Sequence, residues 1–378
     1  MVIMKIKRFY GDLSKWVKEG KVLAIFGPRR VGKTTLLTDY LKECGLKYRL
    51  DSGDNIGVGE VFSSQDPRKI TGYAEGYDLI ALDEAQRIRG VGLGLKILVD
   101  HAVSTRVIAT GSSSFELAGQ IGEPLTGRKT TITLFPVAQC ELAGMYNRQE
   151  LRERLESFLV YGSYPEALIA RSDIERRRVL EEIANSYLLK DILELDRVKN
   201  PKALNDLLRL VAFQIGNEVS LSELAAQVGL DRNTVSRYLD LLEKSFVLYN
   251  VRGYSRNLRK EVTKKSKYYF YDTGIRNAVI ANFNDIPLRN DVGPMWENFL
   301  MIERLKMRSY KELWANPYFW RTWEKHEIDL VEERGGKLFG YEFKWGNRKP
   351  REPRLWRETY PEASYEIITP ENYLDFVL

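Results

Sequence analysis

The segment Gly27-Pro-Arg-Arg-Val-Gly-Lys-Thr34 narrows what this chain can fold into more than any other. It satisfies G-x-x-x-x-G-K-[ST], and its setting is as informative as its spacing. Val22 to Phe26 ahead of it is an apolar run of buried-strand length, and Thr34 to Leu41 behind it has a helical pattern. Glycines at 27 and 32 let the backbone curl, so that successive N–H groups converge on an anion at the start of a helix. Gly27, Pro28, Arg29, Arg30, Val31, Gly32, Lys33, Thr34 and Thr35 are therefore expected to cradle a nucleoside triphosphate. Lys33 is predicted to reach the β- and γ-phosphates, and the Thr34 hydroxyl to ligand Mg²⁺. Arg29 and Arg30 add positive field beside the phosphates, whether they contact the nucleotide or a neighbour. The competing reading is a glycine-rich strand–helix turn with no ligand.

Leu79-Ile-Ala-Leu-Asp-Glu-Ala-Gln86 reads as an apolar strand ending in two adjacent carboxylates. Such acids emerge at the carboxyl edge of an open α/β sheet, where ligands bind. Asp83 is expected to hold Mg²⁺, directly or through water, and Glu84 to polarise the attacking water. An acidic strand end that only caps a helix is the alternative. A third strand, Arg106 to Thr110, leads into Gly111-Ser-Ser-Ser114, where Ser112 and Ser113 are candidates to touch the γ-phosphate or its water. Ser-rich turns otherwise serve as helix caps. Arg128, just before the strand-like Thr130 to Leu134, is a candidate for stabilising transition-state charge, in cis or across a subunit boundary in a homo-oligomer. A surface salt bridge is the rival role.

Gly27 to Thr35, Leu79 to Gln86, Ala109 to Ser114 and Leu125 to Arg128 resemble the AAA+-type P-loop ATPases of bacteria and archaea. More narrowly, they are similar to the group whose ATPase domain is followed by a poorly characterised region with a nuclease-like end. Phe135-Pro136, Tyr161-Gly-Ser-Tyr-Pro-Glu166 and Tyr187 to Ile192 also match that group's pattern. The resemblance covers nearly the whole chain. It implies ATP binding and hydrolysis and no particular cellular task.

A length of 378 residues suggests two to four domains with ample core. No run approaches the roughly 18 apolar residues of a membrane span. The opening MVIMKIKRFYGDL lacks a secretory core, so a cytoplasmic location without a membrane partner is expected. Cys44, Cys140, His101 and His326 are too few for a disulfide framework or a Cys/His metal cluster. The net charge of +6 is equalled by one stretch, Arg252 to Lys267, which holds seven basic residues against Glu261 alone. A polyanion partner is therefore expected at one place, not over the whole surface.

From Arg148 to Leu208 the pattern is helical, with Leu151, Leu155, Phe158 and Leu159 at three- and four-residue steps. Further on, Ser220 with Glu223 forms a capping box, Gly229 breaks that helix, and Asp231 caps the next. The second helix then offers Arg232, Asn233, Thr234, Ser236 and Arg237 to phosphates and base edges. Phe246 to Tyr249 and Tyr268 to Tyr271 read as strands flanking the basic stretch. A helix pair followed by a basic hairpin predicts a winged helix on double-stranded DNA, with Lys264, Lys265 and Lys267 neutralising phosphates. A winged helix used only for packing or protein binding is the rival reading.

Met295 to Met307 is expected to be a helix carrying Glu297. Glu327 to Val331 and Lys337 to Trp345 are strand-like on either side of the turn Arg334-Gly-Gly336. Alternation puts Glu342 and Lys344 on one face, and a hairpin would return Asp329 beside them. Asp329 with Glu342-x-Lys344 resembles the PD-(D/E)xK nuclease superfamily, although no proline precedes Asp329. That resemblance implies Mg²⁺ on Asp329 and Glu342, Glu297 as an extra ligand, and Lys344 orienting or activating a metal-bound water. A solvated cross-strand pair and a degenerate nuclease fold are the alternatives.

The expected architecture is thus α/β. It comprises a RecA/AAA-like P-loop NTPase domain over 1–142, a helical connector over 143–205, a winged helix over 206–280 and a small restriction-endonuclease-like α/β domain over 281–378. The expected function is ATP hydrolysis coupled to DNA binding, with Mg²⁺-dependent cleavage. The alternative is an ATP-switched DNA- or protein-binding scaffold with an inactive nuclease fold.

Overall fold

Val22–Phe26 (β1) is buried along its whole length because helices cover both faces of the sheet it centres. Its alternate residues feed two different cores. Leu23 and Ile25 pack with Leu36, Leu37 and Leu41 of the helix Lys33–Glu43. Val22, Ala24 and Phe26 pack with Leu95 and Leu98 of the helix Val91–His101. The computed structural model describes residues 6–112, 124–188, 198, 200–255, 266–322, 326–346 and 351–378. The remaining strands of this first sheet are Tyr48–Ser52 (β2), Leu79–Asp83 (β3), Arg106–Thr110 (β4) and Lys129–Thr133 (β5). All pairings are parallel, in the order β2-β3-β4-β1-β5. The carboxyl ends of β1, β3 and β4 therefore lie side by side on one edge.

Glu218–Val219 (β6), Leu248–Gly253 (β7), Ser266–Phe270 (β8), Asn316–Arg321 (β9), Glu327–Arg334 (β10), Lys337–Phe343 (β11) and Ser364–Ile368 (β12) form a second sheet of seven strands. Its order is β12-β11-β10-β9-β7-β8-β6. The junction is a short parallel pairing of Arg252 with Tyr318 and Gly253 with Phe319. One sheet thus runs across residue 280, where the sequence suggested a division. The long helix Val292–Tyr310 lies against it, and its Met295, Trp296, Phe299 and Leu300 share a core with Tyr269, Leu330 and Tyr341. Gly335 and Gly336, at φ 54° and 79°, close the β10–β11 hairpin, both in the left-handed region that a two-residue turn of this kind needs.

The helix pair Leu221–Val228 and Arg232–Lys244 sits where its caps put it. Ser220 Oγ accepts from the Glu223 N–H at 3.4 Å, Gly229 ends the first helix at φ 68°, and Asp231 accepts from the Thr234 N–H at 2.9 Å. The strand expected from Phe246 begins two residues later, because Phe246 takes φ 51° in the turn that follows the helix. Among the described residues no helix is long and apolar enough to cross a membrane.

Candidate nucleotide site and carboxylate cluster

The loop after β1 wraps its own lysine. Lys33 is 5% exposed, and its ammonium donates to the Gly27 and Pro28 carbonyls, each at 2.8 Å. Gly27 takes φ 147° and lies so close to the end of β5 that a Cβ would come within 2.1 Å of the Leu134 carbonyl oxygen, which only glycine permits. The helix Lys33–Glu43 starts at Gly32 with no side-chain cap and no acid in its first turn. Helix N-termini following a glycine-rich loop are suited to bind anions. Thr34 and Thr35 are placed at that end, Thr35 exposed and Thr34 turned toward β3.

Across the edge, β3 delivers Asp83. One carboxylate oxygen accepts from Thr34 Oγ1 at 2.8 Å and the other from Thr110 Oγ1 at the end of β4. Thr110 Oγ1 in turn accepts from the Glu84 N–H at 3.2 Å. Glu84 stands at φ 51°, and its carboxylate accepts from Gln86 Nε2. A hydroxyl and a carboxylate brought together beside an anion cradle fit Mg²⁺, which takes few protein ligands and completes its shell with phosphate oxygens and water. Ser112 is 1% exposed beyond Thr110, and Ser113 lies outside the described residues.

Two arginines tie this loop to the rest of the chain, and the sequence flagged neither set of contacts. Arg30, at φ 60°, ion-pairs with Glu166 at 3.1 Å and Glu182 at 2.6 Å. Arg8 donates to the Val31 carbonyl at 2.5 Å, to the Phe135 carbonyl at 2.6 Å and to Glu141 at 2.9 Å. Beside it, Phe9 stacks on Tyr310 with ring centroids 4.9 Å apart. Tyr310 ends the long helix Val292–Tyr310, and Glu303 of the same helix accepts from the Gln139 N–H at 2.7 Å.

Arg128 is placed away from all of this. The Val22 N–H donates to the Arg128 carbonyl at 2.8 Å, so Arg128 lies at the amino end of β1, whereas the phosphate loop follows its carboxyl end. Four strand steps of about 3.3 Å separate the two by roughly 13 Å. Its side chain pairs with Asp100. Of the roles expected for Arg128, this placement favours the salt bridge. Arg128→Ala is expected to leave ATP turnover within about twofold of wild type, since an exposed pair contributes only ~0–1 kcal/mol. A loss greater than about tenfold in a steady-state assay would show instead that Arg128 serves a neighbouring protomer's nucleotide.

Arg232, Asn233, Ser236 and Arg237 lie on the helix Arg232–Lys244, with Arg232, Asn233, Ser236 and Arg237 all exposed, while the Thr234 hydroxyl is engaged with Asp231. Lys264 and Lys265 lie outside the described residues. Lys267 is not a surface cation. It is 1% exposed, with its ammonium 3.1 Å from Glu297 and ion-paired with Glu327. The reason is that β8 is buried on both faces: Tyr268 and Phe270 enter one core, and Tyr269 enters the other. Lys267 shares the Tyr269 face, where carboxylates meet it.

The β10–β11 register, Leu330 with Tyr341, sets Asp329 opposite Glu342. Asp329 accepts from the Phe343 N–H at 2.7 Å, and Glu342 pairs with Lys344 at 2.7 Å. Glu297 accepts from the Tyr269 hydroxyl at 2.7 Å. Burial pushes Glu297 and Glu342 up to about 7, with Asp329 adding repulsion to both and lysine neighbours opposing the rise. Burial raises Asp329 as well, against the pull of Lys267. Among the described residues no group of three His, Cys, Asp or Glu side chains is arranged to hold a metal ion. The acids expected as a metal set, Asp329, Glu342 and Glu297, share this cluster with the ammonium groups of Lys267 and Lys344.

Residues 19–143 match the family model described as AAA domain. Residues 152–286 and 292–372 match two models described as domains of unknown function, DUF8612 and DUF4143. An uncharacterized protein of Mycobacterium tuberculosis is 28% identical over 337 residues, covering 88% of this chain and 72% of that protein. One from Haemophilus influenzae is 27% identical over 282 residues, covering 69% of each. A solved structure, the Walker-type ATPase of Pyrococcus abyssi, aligns with 68% of this chain and 90% of its own at 19% identity and a TM-score of 0.46. Residues 19–143 are an AAA-type P-loop ATPase domain.

Proposed function

We propose that this chain is an ATP-hydrolysing switch whose nucleotide state is passed to a DNA-binding C-terminal unit with an inactive nuclease-like fold. The observation that carries this reading is the Arg30 clasp: a side chain of the phosphate loop held by Glu166 and Glu182 of the following helices. A triphosphate entering the loop brings negative charge that competes with those two carboxylates for Arg30. Lys33 exchanges loop carbonyls for phosphate oxygens, and the N–H groups at the start of Lys33–Glu43 take the rest. Thr34 and Asp83 would hold Mg²⁺, which supplies neutralisation of charge developing on the phosphates. Glu84, released from Gln86, orients the attacking water.

The order helix, β6, helix, helix, β7, β8 supports a winged helix in residues 201–270. The exposed Arg232, Asn233, Ser236 and Arg237 favour DNA as its partner. Duplex affinity measured by fluorescence anisotropy is expected to differ about fivefold or more between ATP and ADP in wild type. Arg30→Ala should remove that difference. Arg232→Ala with Arg237→Ala should weaken binding and lower its salt slope by about one per lost phosphate contact. Equal affinity in both nucleotide states would sink the switch, and no binding at any salt concentration would sink the DNA partner.

A further inference from the structure

Lys267 reaches from β8 into carboxylates that belong to later elements, Glu297 on the helix Val292–Tyr310 and Glu327 on β10. Its surroundings are built from several sides. Tyr269 donates its hydroxyl to the same Glu297 oxygen that faces the ammonium. Gly216, at φ 75°, lets the backbone approach so closely that a Cβ there would come within 2.9 Å of Glu297 Oε2. Arg321 stands 3.7 Å from Glu327 and 3.4 Å from Glu218. Beside this group, Glu342 Oε2 is buried without a hydrogen-bond partner among the described residues, its other oxygen being taken by Lys344.

Buried carboxylates stay ionised only beside a cation, and an ammonium and a small divalent ion can each be held by carboxylate oxygens. We propose that Lys267 is the built-in counter-cation of this cluster. Its ammonium fills the position between Glu297 and Glu327 that a divalent ion would otherwise take, so the cluster excludes metal as folded and becomes a divalent-cation site when the ammonium is removed. This deepens the inactive-nuclease reading and is independent of the nucleotide switch.

The test is Mn²⁺ binding by electron paramagnetic resonance without nucleotide, in an Asp83→Asn background that removes the phosphate-loop carboxylate. Lys267→Met is expected to bind one Mn²⁺ per chain at least about tenfold more tightly than the background protein. Adding Glu327→Gln should abolish that gain. Equal affinity with and without Lys267 overturns the proposal, as does a folded Lys267→Met that binds no ion. Should that variant fail to fold, the background protein alone still decides. Its melting temperature is expected to stay within about 1 °C on adding millimolar Mn²⁺. A rise of several degrees that Glu297→Gln abolishes would show that the site accepts metal with Lys267 in place.

Discussion

Lys33→Ala is expected to lower steady-state ATP turnover by about two orders of magnitude or more. In the structure the ammonium rests on the Gly27 and Pro28 carbonyls at the centre of the loop. From there it can exchange those neutral partners for phosphate oxygens without moving the backbone. Hydrogen bonds to charged groups are worth about 1.5–3 kcal/mol each. Losing two of them corresponds to roughly a hundredfold or more at 1.4 kcal/mol per decade. Lys33→Arg should not rescue activity, because the site is 5% exposed and walled by the loop itself. Turnover within tenfold of wild type would remove Lys33 from the chemistry.

Gly162→Ala should be the most damaging small substitution outside the nucleotide site, costing about 3–5 kcal/mol of stability. Gly162 takes φ 66° and ψ −154°, a region essentially closed to other residues. A Cβ there would lie 2.0 Å from a carboxylate oxygen of Asp272. Asp272 cannot retreat freely, since it caps the helix Thr273–Val279 through the Ile275 N–H at 3.1 Å and accepts from the Ser163 N–H at 2.7 Å. That helix is locked in turn onto the end of Leu155–Tyr161, where Asn277 donates to the Val160 carbonyl at 2.8 Å. Denaturant unfolding should show the loss, and a change below about 1 kcal/mol would mean that the turn relaxes at little cost.

Much of the local structure is legible in the sequence. Gly27 and Gly32, the run Leu79 to Asp83, the caps Ser220 and Asp231 and the turn Gly335-Gly336 all act over a few residues. Their sterics and hydrogen bonds are written in neighbouring side chains. The opposition of Asp329 to Glu342 follows from that turn, because strand alternation carries register outward from a two-residue loop.

What joins distant segments is not legible there. Thr110 ends an apolar strand, with no sign that its hydroxyl would bridge Asp83 and the Glu84 amide. Arg8 meets Glu141 across 133 residues, and Arg30 meets Glu182 across 152. No periodicity records such pairs. Arg128 is adjacent to the right strand, but on the end that the parallel sheet turns away from the phosphates.

The phosphate loop was legible in the sequence alone, because its glycines, lysine and helix start are local features, while its remote ties through Arg8 and Arg30 were not. The fate of Lys267 was decided only by the tertiary structure. Counted along the chain, it is one of seven cations in a basic stretch. In the fold, β8 is covered on both faces, and the same charge becomes the interior partner of Glu297 and Glu327. Charge counts register how many cations a segment carries; only packing decides which of them meet water.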